Sequence, residues 1–243
     1  MTLRHARGID HAVVLVRDLD RAADTYARMG FTLTPRGFHS LGSQNHCLMF
    51  GRDYIELMAL PSKPPAAFQY FAEFLARGEG VGALALATDD AAGAHAELVQ
   101  AGIAAEAPLA LSRPVADLGE ARFTLVQLPP AETPGFRTFL CQHHTRDIVW
   151  RPEYQRHANG AEGIKSVAIS APDPARYARV LDGLPVTYTP AEVPAVAAIR
   201  VQVPDKQAAA DALTRGGFSA VSLKDGALVV AAAEAHGVML VFG

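Results

Sequence analysis

Apolar and polar positions fall into a recurring block pattern along this chain. Four times an apolar run gives way to an aspartate, then to a stretch with helical spacing, then to a glycine. The stretches are VRDLDRAADTYARMGFTL from Val16, TDDAAGAHAELVQAGIAA from Thr88, APDPARYARVLDGLPVTY from Ala171 and VPDKQAAADALTRGGFSA from Val203. Their aspartates (Asp18, Asp89 or Asp90, Asp173 and Asp205) suit helix N-caps, where a side-chain oxygen accepts from the first-turn amides. In the first copy Leu19, Ala22, Ala23, Tyr26 and Met29 share one helical face. Gly30, Gly102, Gly183 and Gly217 stand where each helix should end.

Short apolar runs bounded by turn residues follow the helices, and these read as strands. After the first helix come FTLTP, HCLMFG and DYIELMAL. The second copy gives GALALAT, a helix, then IAAEAP, RFTLVQL and RTFLCQH. The fourth ends in ALVVAAA and GVMLVFG. Asp18 and Glu56 lie 38 positions apart, as do Asp205 and Gly243, but Asp173 and Asp205 only 32, so the third copy must lack or share a strand. The expected fold class is α+β, with repeated βαβββ modules forming curved mixed sheets and helices on the outer face. The expected domains are a paired-module unit over 1–150 and a second, degenerate half over 163–243, joined by polar residues 147–163. Residues 61–80 should begin as loop and become a short helix after Pro65.

The chain has 243 residues and a formal net charge of −3, with no dense basic patch, so nucleic acid is an unexpected partner. The longest apolar runs are too short to cross a bilayer, and the N-terminus reads as a strand rather than a signal peptide. Cys47 and Cys141 both lie in apolar segments, so no disulfide framework is expected and the reducing cytoplasm is the default. Arginine outnumbers lysine and alanine is abundant, which fits a GC-rich bacterial genome. A missing strand would leave an edge needing cover by the other half or by a sister subunit, as in a homodimer.

Candidate chemistry gathers at two strands. In GIDHAVVLV, His11, Val13 and Leu15 face one way; in DYIELMAL, Tyr54, Glu56 and Met58 do. A lone charge is costly to bury, so Glu56 needs a metal or a cationic partner. The matching strand of the second copy, TFLCQHHTRD, has no glutamate. Its parity puts Phe139, Cys141 and His143 on one face and Thr138, Leu140, Gln142 and His144 on the other. His5, His95, His157 and His236 read as surface or turn residues. No phosphate loop, dinucleotide fingerprint, CxxC pair or nucleophile elbow is present.

The segments IDHAVVLVRDLDRAADTYARMGFTL, HSLGSQNHCLMFG and DYIELMAL, with histidine on the first strand and glutamate on the last, resemble the vicinal oxygen chelate superfamily and, within it, its glyoxalase-like branch. The resemblance is fullest over 8–60, extends over 80–150, and reaches 163–243 through the repeat pattern. It implies two modules packed into a cup that holds a metal or ligand, with His11 and Glu56 as ligands. The second module departs from it: Gly82 or Ala83 stands where a first-strand ligand would be. If the face of Phe139 and Cys141 meets the cup, His143 would complete a two-histidine, one-carboxylate set suited to zinc, manganese, nickel or iron(II); if the other face does, Gln142 or His144 would stand there instead. Glu56 and His46 are the candidate catalytic residues; Arg36, His39, Asn45, Tyr54 and His144 are candidate pocket residues. The implied function is that of a metal-dependent lyase or isomerase acting on a small carbonyl-containing substrate, with Glu56 or a free histidine moving the proton. Two alternatives stay open: a metal-free small-molecule binding protein and an iron(II) extradiol-type dioxygenase.

Overall fold

A computed structural model describes residues 2–115 and 118–243. The first module runs β1 (Gly8–Leu15), α1 (Leu19–Arg28), β2 (Gly37–Phe38), β3 (Gln44–Met49) and β4 (Tyr54–Ala59). A 3-10 turn and α2 (Gln69–Arg77) lead into β5 (Gly80–Ala87), α3 (Ala91–Gln100), β6 (Leu109–Val115), β7 (Gly119–Gln127) and β8 (Arg137–His143). After α4 (Arg146–Val149) come β9 (Gly163–Ala171), α5 (Pro174–Leu181) and β10 (Val186–Pro190). The chain closes with β11 (Ala195–Gln202), α6 (Lys206–Arg215), β12 (Val221–Ser222), β13 (Leu228–Val230) and β14 (Met239–Phe242). The fold is α+β with a mixed, unclosed sheet.

The repeat is physical. Asp18, Asp90, Asp173 and Asp205 each accept a hydrogen bond from a first-turn amide of α1, α3, α5 and α6. Gly30, Gly102, Gly183 and Gly217 all take a positive φ just beyond those helices, a conformation that side chains with a Cβ resist. In every module the last strand lies parallel to the first: β4 on β1, β8 on β5, β10 on β9 and β14 on β11. The third copy keeps that pair and omits the two strands between, which accounts for its shorter spacing.

The sheet has two curved arms. One has the order β2-β3-β4-β1-β5-β8-β7-β6 and the other β10-β9-β11-β14-β13-β12. They meet at one residue pair, Val196 with Val81. Beneath them the core is continuous, from Val14, Tyr26 and Leu57 through Leu84 and Leu140 to Ile169, Tyr177 and Phe242. Each such side chain contributes roughly 1.5–3 kcal/mol by leaving water. No helix among the described residues is long and apolar enough to cross a membrane.

Two histidines expected at surfaces or turns instead fasten segments together. His157 accepts from the Thr32 amide (2.9 Å) and donates to the Met49 carbonyl (2.9 Å). His236, at φ 55°, lies 2.9 Å from Glu79 and 3.2 Å from the Thr25 hydroxyl. Buried polar groups must be paired, so these histidines were recruited from segments whose local pattern is unremarkable.

Two predictions follow from these junctions. Gly237 has φ 83°, and a methyl group there would overlap the Glu79 carbonyl, whereas Gly102 at φ 67° faces open space. Gly102→Ala should cost about 1 kcal/mol of conformational strain, lowering Tm by roughly 2–4 °C. Gly237→Ala should cost about 2 kcal/mol or more; equal melting of the two variants would refute the close approach. Asp53 accepts from the Ile164 amide (2.8 Å), and burial pushes its carboxyl up to about 7. The fold therefore prefers the protonated form. Its contribution should be full below pH about 4 and fade as pH rises through about 7. Asp53→Asn should gain Tm over the parent at alkaline pH only; parallel melting profiles across pH would contradict this.

Candidate active site

The first arm of the sheet curls into a cup of about 290 Å³. That volume suits a small molecule. Its floor is apolar, with Val13, Met58, Ala83, Phe71 and Phe139 among the lining side chains. His11, Glu56, Asn45 and His39 form a polar cluster on one wall.

Local irregularity creates this wall. The β1–β5 register shifts between Ile9 and His11, so Asp10 is an extra residue in β1. Such a bulge re-aims side chains. It lets Asp10 reach its neighbour: the His11 Nδ1–H donates to Asp10 Oδ1 at 2.5 Å. The same oxygen accepts from His143 Nε2 at 3.1 Å. Both Asp10 and His11 are buried. Burial pushes the Asp10 carboxyl up, but the hydrogen bonds from His11 and His143 outweigh it and hold it below the ordinary carboxylate range. The anion fixes the proton of His11 on Nδ1 and leaves the Nε2 lone pair facing the cup.

Glu56 receives that lone pair's side of the ring. Its Oε2 lies 3.8 Å from His11 Nε2. Its Oε1 accepts from Asn45 Nδ2 at 2.7 Å and lies 3.8 Å from His39 Nε2. The His39 ring is tied through Nδ1 to the Ser43 hydroxyl (2.8 Å), and burial pushes its pKa down. Tyr54 stacks on His11 with ring centroids 4.3 Å apart, and burial keeps its hydroxyl protonated far above neutral pH.

Other candidates lie elsewhere. His143 belongs to the expected face of β8, because Phe139 and Cys141 line the cup. It sits four residues past Phe139, about 13 Å along the strand, and its Nε2 is held by Asp10 rather than Glu56. Among the described residues, Asp10, Cys141 and His143 are the group whose ligating atoms fall within 4.8 Å of one another. Burial pushes the Cys141 thiol up, so it is not a ready anionic ligand. His46 donates to the Thr34 carbonyl (2.8 Å), His144 meets Thr124 (2.8 Å), and Arg36 pairs with Asp20 and Gln44; none of the three lines the cup.

The two modules are not equivalent here. His11 pairs with Tyr54 and Ala83 with Arg137, so Ala83 takes the place of His11 and Phe139 that of Glu56. Gly82 likewise takes that of Asp10, since the second register shift of the β1–β5 pair falls there. Sequence reasoning overlooked Asp10 as the brace of His11, and Arg113 and Arg137 as lining residues. The first had a signal: an acid adjoining a histidine in an apolar strand. Arg137 had the parity of Phe139 and Cys141 on β8, but Arg113 had no signal, because nothing local says that β6 borders the cup.

Comparison with known proteins agrees with this architecture. Residues 9–184 match the family model for the glyoxalase-like domain. No curated protein matches the chain in sequence. A hypothetical protein from Staphylococcus aureus is similar over 97% of this chain and 98% of its own, with TM-score 0.69 and 12% identity. A mutant of 4-hydroxymandelate synthase from Streptomyces coelicolor is similar over 98% and 92%, with TM-score 0.62 and 14% identity. An extradiol ring-cleaving dioxygenase from B. fuscum is similar over 98% and 72%, with TM-score 0.58 and 13% identity. At these identities the likeness is one of fold.

The brace on His11 is testable. Asp10→Asn keeps the shape but removes the charge, and should destabilise the protein by about 1–3 kcal/mol. Nitrogen-15 NMR should find His11 protonated on Nδ1 in the parent, with the Nε2-protonated form gaining population in the variant. An unchanged tautomer would show that Asp10 does not set it.

Proposed function

The chain belongs to the glyoxalase-like domain family, and from that premise we propose that it is an enzyme acting on a small carbonyl-containing molecule at a metal-assisted centre built on His11 and Glu56. The supporting observation is the bracing of both groups. Asp10 sits behind His11 and Asn45 behind Glu56, the arrangement that holds metal-binding side chains in one orientation. One imidazole nitrogen and one carboxylate are donors that suit a divalent cation with positions left for substrate oxygens. A bound cation would supply Lewis acidity toward adjacent oxygens of the substrate.

The remaining work falls to this chain's side chains. The apolar floor excludes water and strengthens electrostatic interactions inside the cup. His39, beside Glu56, carries its lone pair on Nε2 when its Nδ1–H donates to Ser43; the Asn45 amide lies 3.5 Å from that nitrogen, and on displacing this long contact the imidazole would accept a proton from carbon next to the carbonyl. Burial keeps it in the neutral, basic form at neutral pH. Returning the proton to a neighbouring position would be isomerisation; returning it with loss of a leaving group would be a lyase reaction.

A second reading, a metal-free binding protein, is favoured by Ala83 and Phe139, which deny the cup ligands from the second module. Metal titration separates the two. Manganese, zinc, nickel or iron(II) should raise the Tm of the parent through linkage. Glu56→Gln and His11→Ala should each abolish the rise, and the double variant should lose nothing further, because one ion uses both. A panel of small carbonyl compounds in D₂O should show deuterium wash-in that depends on Glu56 and His39. Metal binding unaffected by Glu56→Gln would favour the metal-free reading.

A further inference from the structure

The cup carries one cation that its own protein does not neutralise. β6 turns Leu109, Leu111 and Arg113 inward by strand parity, and all three line the cavity. Among the described residues no hydrogen bond or ion pair engages the Arg113 guanidinium. Arg137, the other lining arginine, is already occupied by Gln127 (3.1 Å) and Glu106 (3.5 Å).

Arg113 reaches across the mouth toward the polar wall. A Cβ on Gly37 would lie 3.6 Å from its Nη1 and would overlap the Asn45 side chain. Glycine at 37 therefore leaves a gap through which the guanidinium faces Asn45. Its charge acts on both His39 and Cys47, opposing that of Glu56 at each. The cup thus holds a fixed carboxylate at one station and an open guanidinium at another. Between and below them the surface is apolar and aromatic, with Phe71, Phe123 and Leu125 in the lining.

A half-buried guanidinium at the mouth of an apolar cup, paired with no described side chain, is open to a ligand of opposite charge. Its flat fork matches a carboxylate in two parallel hydrogen bonds. We propose that Arg113 is the anion-binding residue of the cup and that the ligand is a small carboxylate with an apolar body. This rests on the cup being the ligand site, as in the proposed function, but not on a bound metal or on turnover. The ligand's carboxylate pairs with Arg113, its body lies on the phenylalanines and leucines, and its reacting oxygens turn toward His11 and Glu56.

The test is direct binding, measured by calorimetry on the full chain. The probes are phenylacetate, 3-phenylpropanoate and 4-phenylbutanoate, each beside its carboxamide. At least one acid should bind saturably and about tenfold or more tighter than its amide, the discrimination a charged hydrogen-bonded pair supports. Arg113→Gln should erase that preference, Arg113→Lys should keep part of it, and Arg36→Gln, at an arginine outside the cup, should leave it intact. Thermal melts confirm that the variants fold. Equal affinity for acid and amide, a preference that survives Arg113→Gln, or no saturable binding by any acid overturns the assignment. An acid preference that Arg113→Gln erases, in a protein that takes no metal, would uphold Arg113 while removing the metal-assisted reading.

Discussion

The site hangs on one buried carboxylate. Asp10 has little contact with water and, among the described residues, pairs with no lysine or arginine; two imidazoles donate to one of its oxygens. They come from different modules, His11 from the first strand of one and His143 from the last strand of the other. A charge buried this way is retained only if its donors are held in place. The clasp therefore ties the orientation of His11 to correct pairing of β5 with β8 and of β1 with β5. Phe123 and Trp150 pack edge-on against His143, at 4.9 and 4.8 Å between ring centroids, and leave it little room to turn.

Glu56 depends on that clasp at one remove. With His11 committed to Asp10 through one nitrogen, the other nitrogen has a single direction, toward Glu56. Asn45 fixes the carboxylate from the opposite side. Chemistry and scaffold thus divide between modules. The first supplies the functional groups, while the second supplies apolar surface, an arginine and the histidine that closes the clasp.

The fold was legible because its determinants are local. An aspartate caps the turn it starts and a glycine ends the helix beside it, so the four copies can be read from Asp18, Asp90, Asp173 and Asp205 without knowing what packs where. His11 and Glu56 were legible for a similar reason: strand parity points each inward. His143 shows where that reasoning stops. Parity offered two faces for β8 and could not choose between them; the lining of the cup by Phe139 and Cys141 marks the face that His143 shares, and its position beyond the cup and its bond to Asp10 depend on the offset between β8 and β5 and on the bulge at Asp10. His46, His144 and Arg36 carry the right chemistry on strands or loops whose facing is decided by tertiary contacts. Arg113 is legible only once β2 and β6 are seen to border the same opening.

Because the modules are copies, the chain carries its own internal control. Where two copies agree, as at the capping aspartates and the positive-φ glycines, folding demands the residue, since it recurs in surroundings with no common ligand. Where they differ at matched stations, folding evidently tolerates either residue and another demand has chosen. Asp10 against Gly82, His11 against Ala83 and Glu56 against Phe139 are such stations, and they are contiguous in space. A duplicated scaffold of this kind separates what maintains shape from what performs chemistry within a single molecule, and the boundary it draws encloses one wall of the cup.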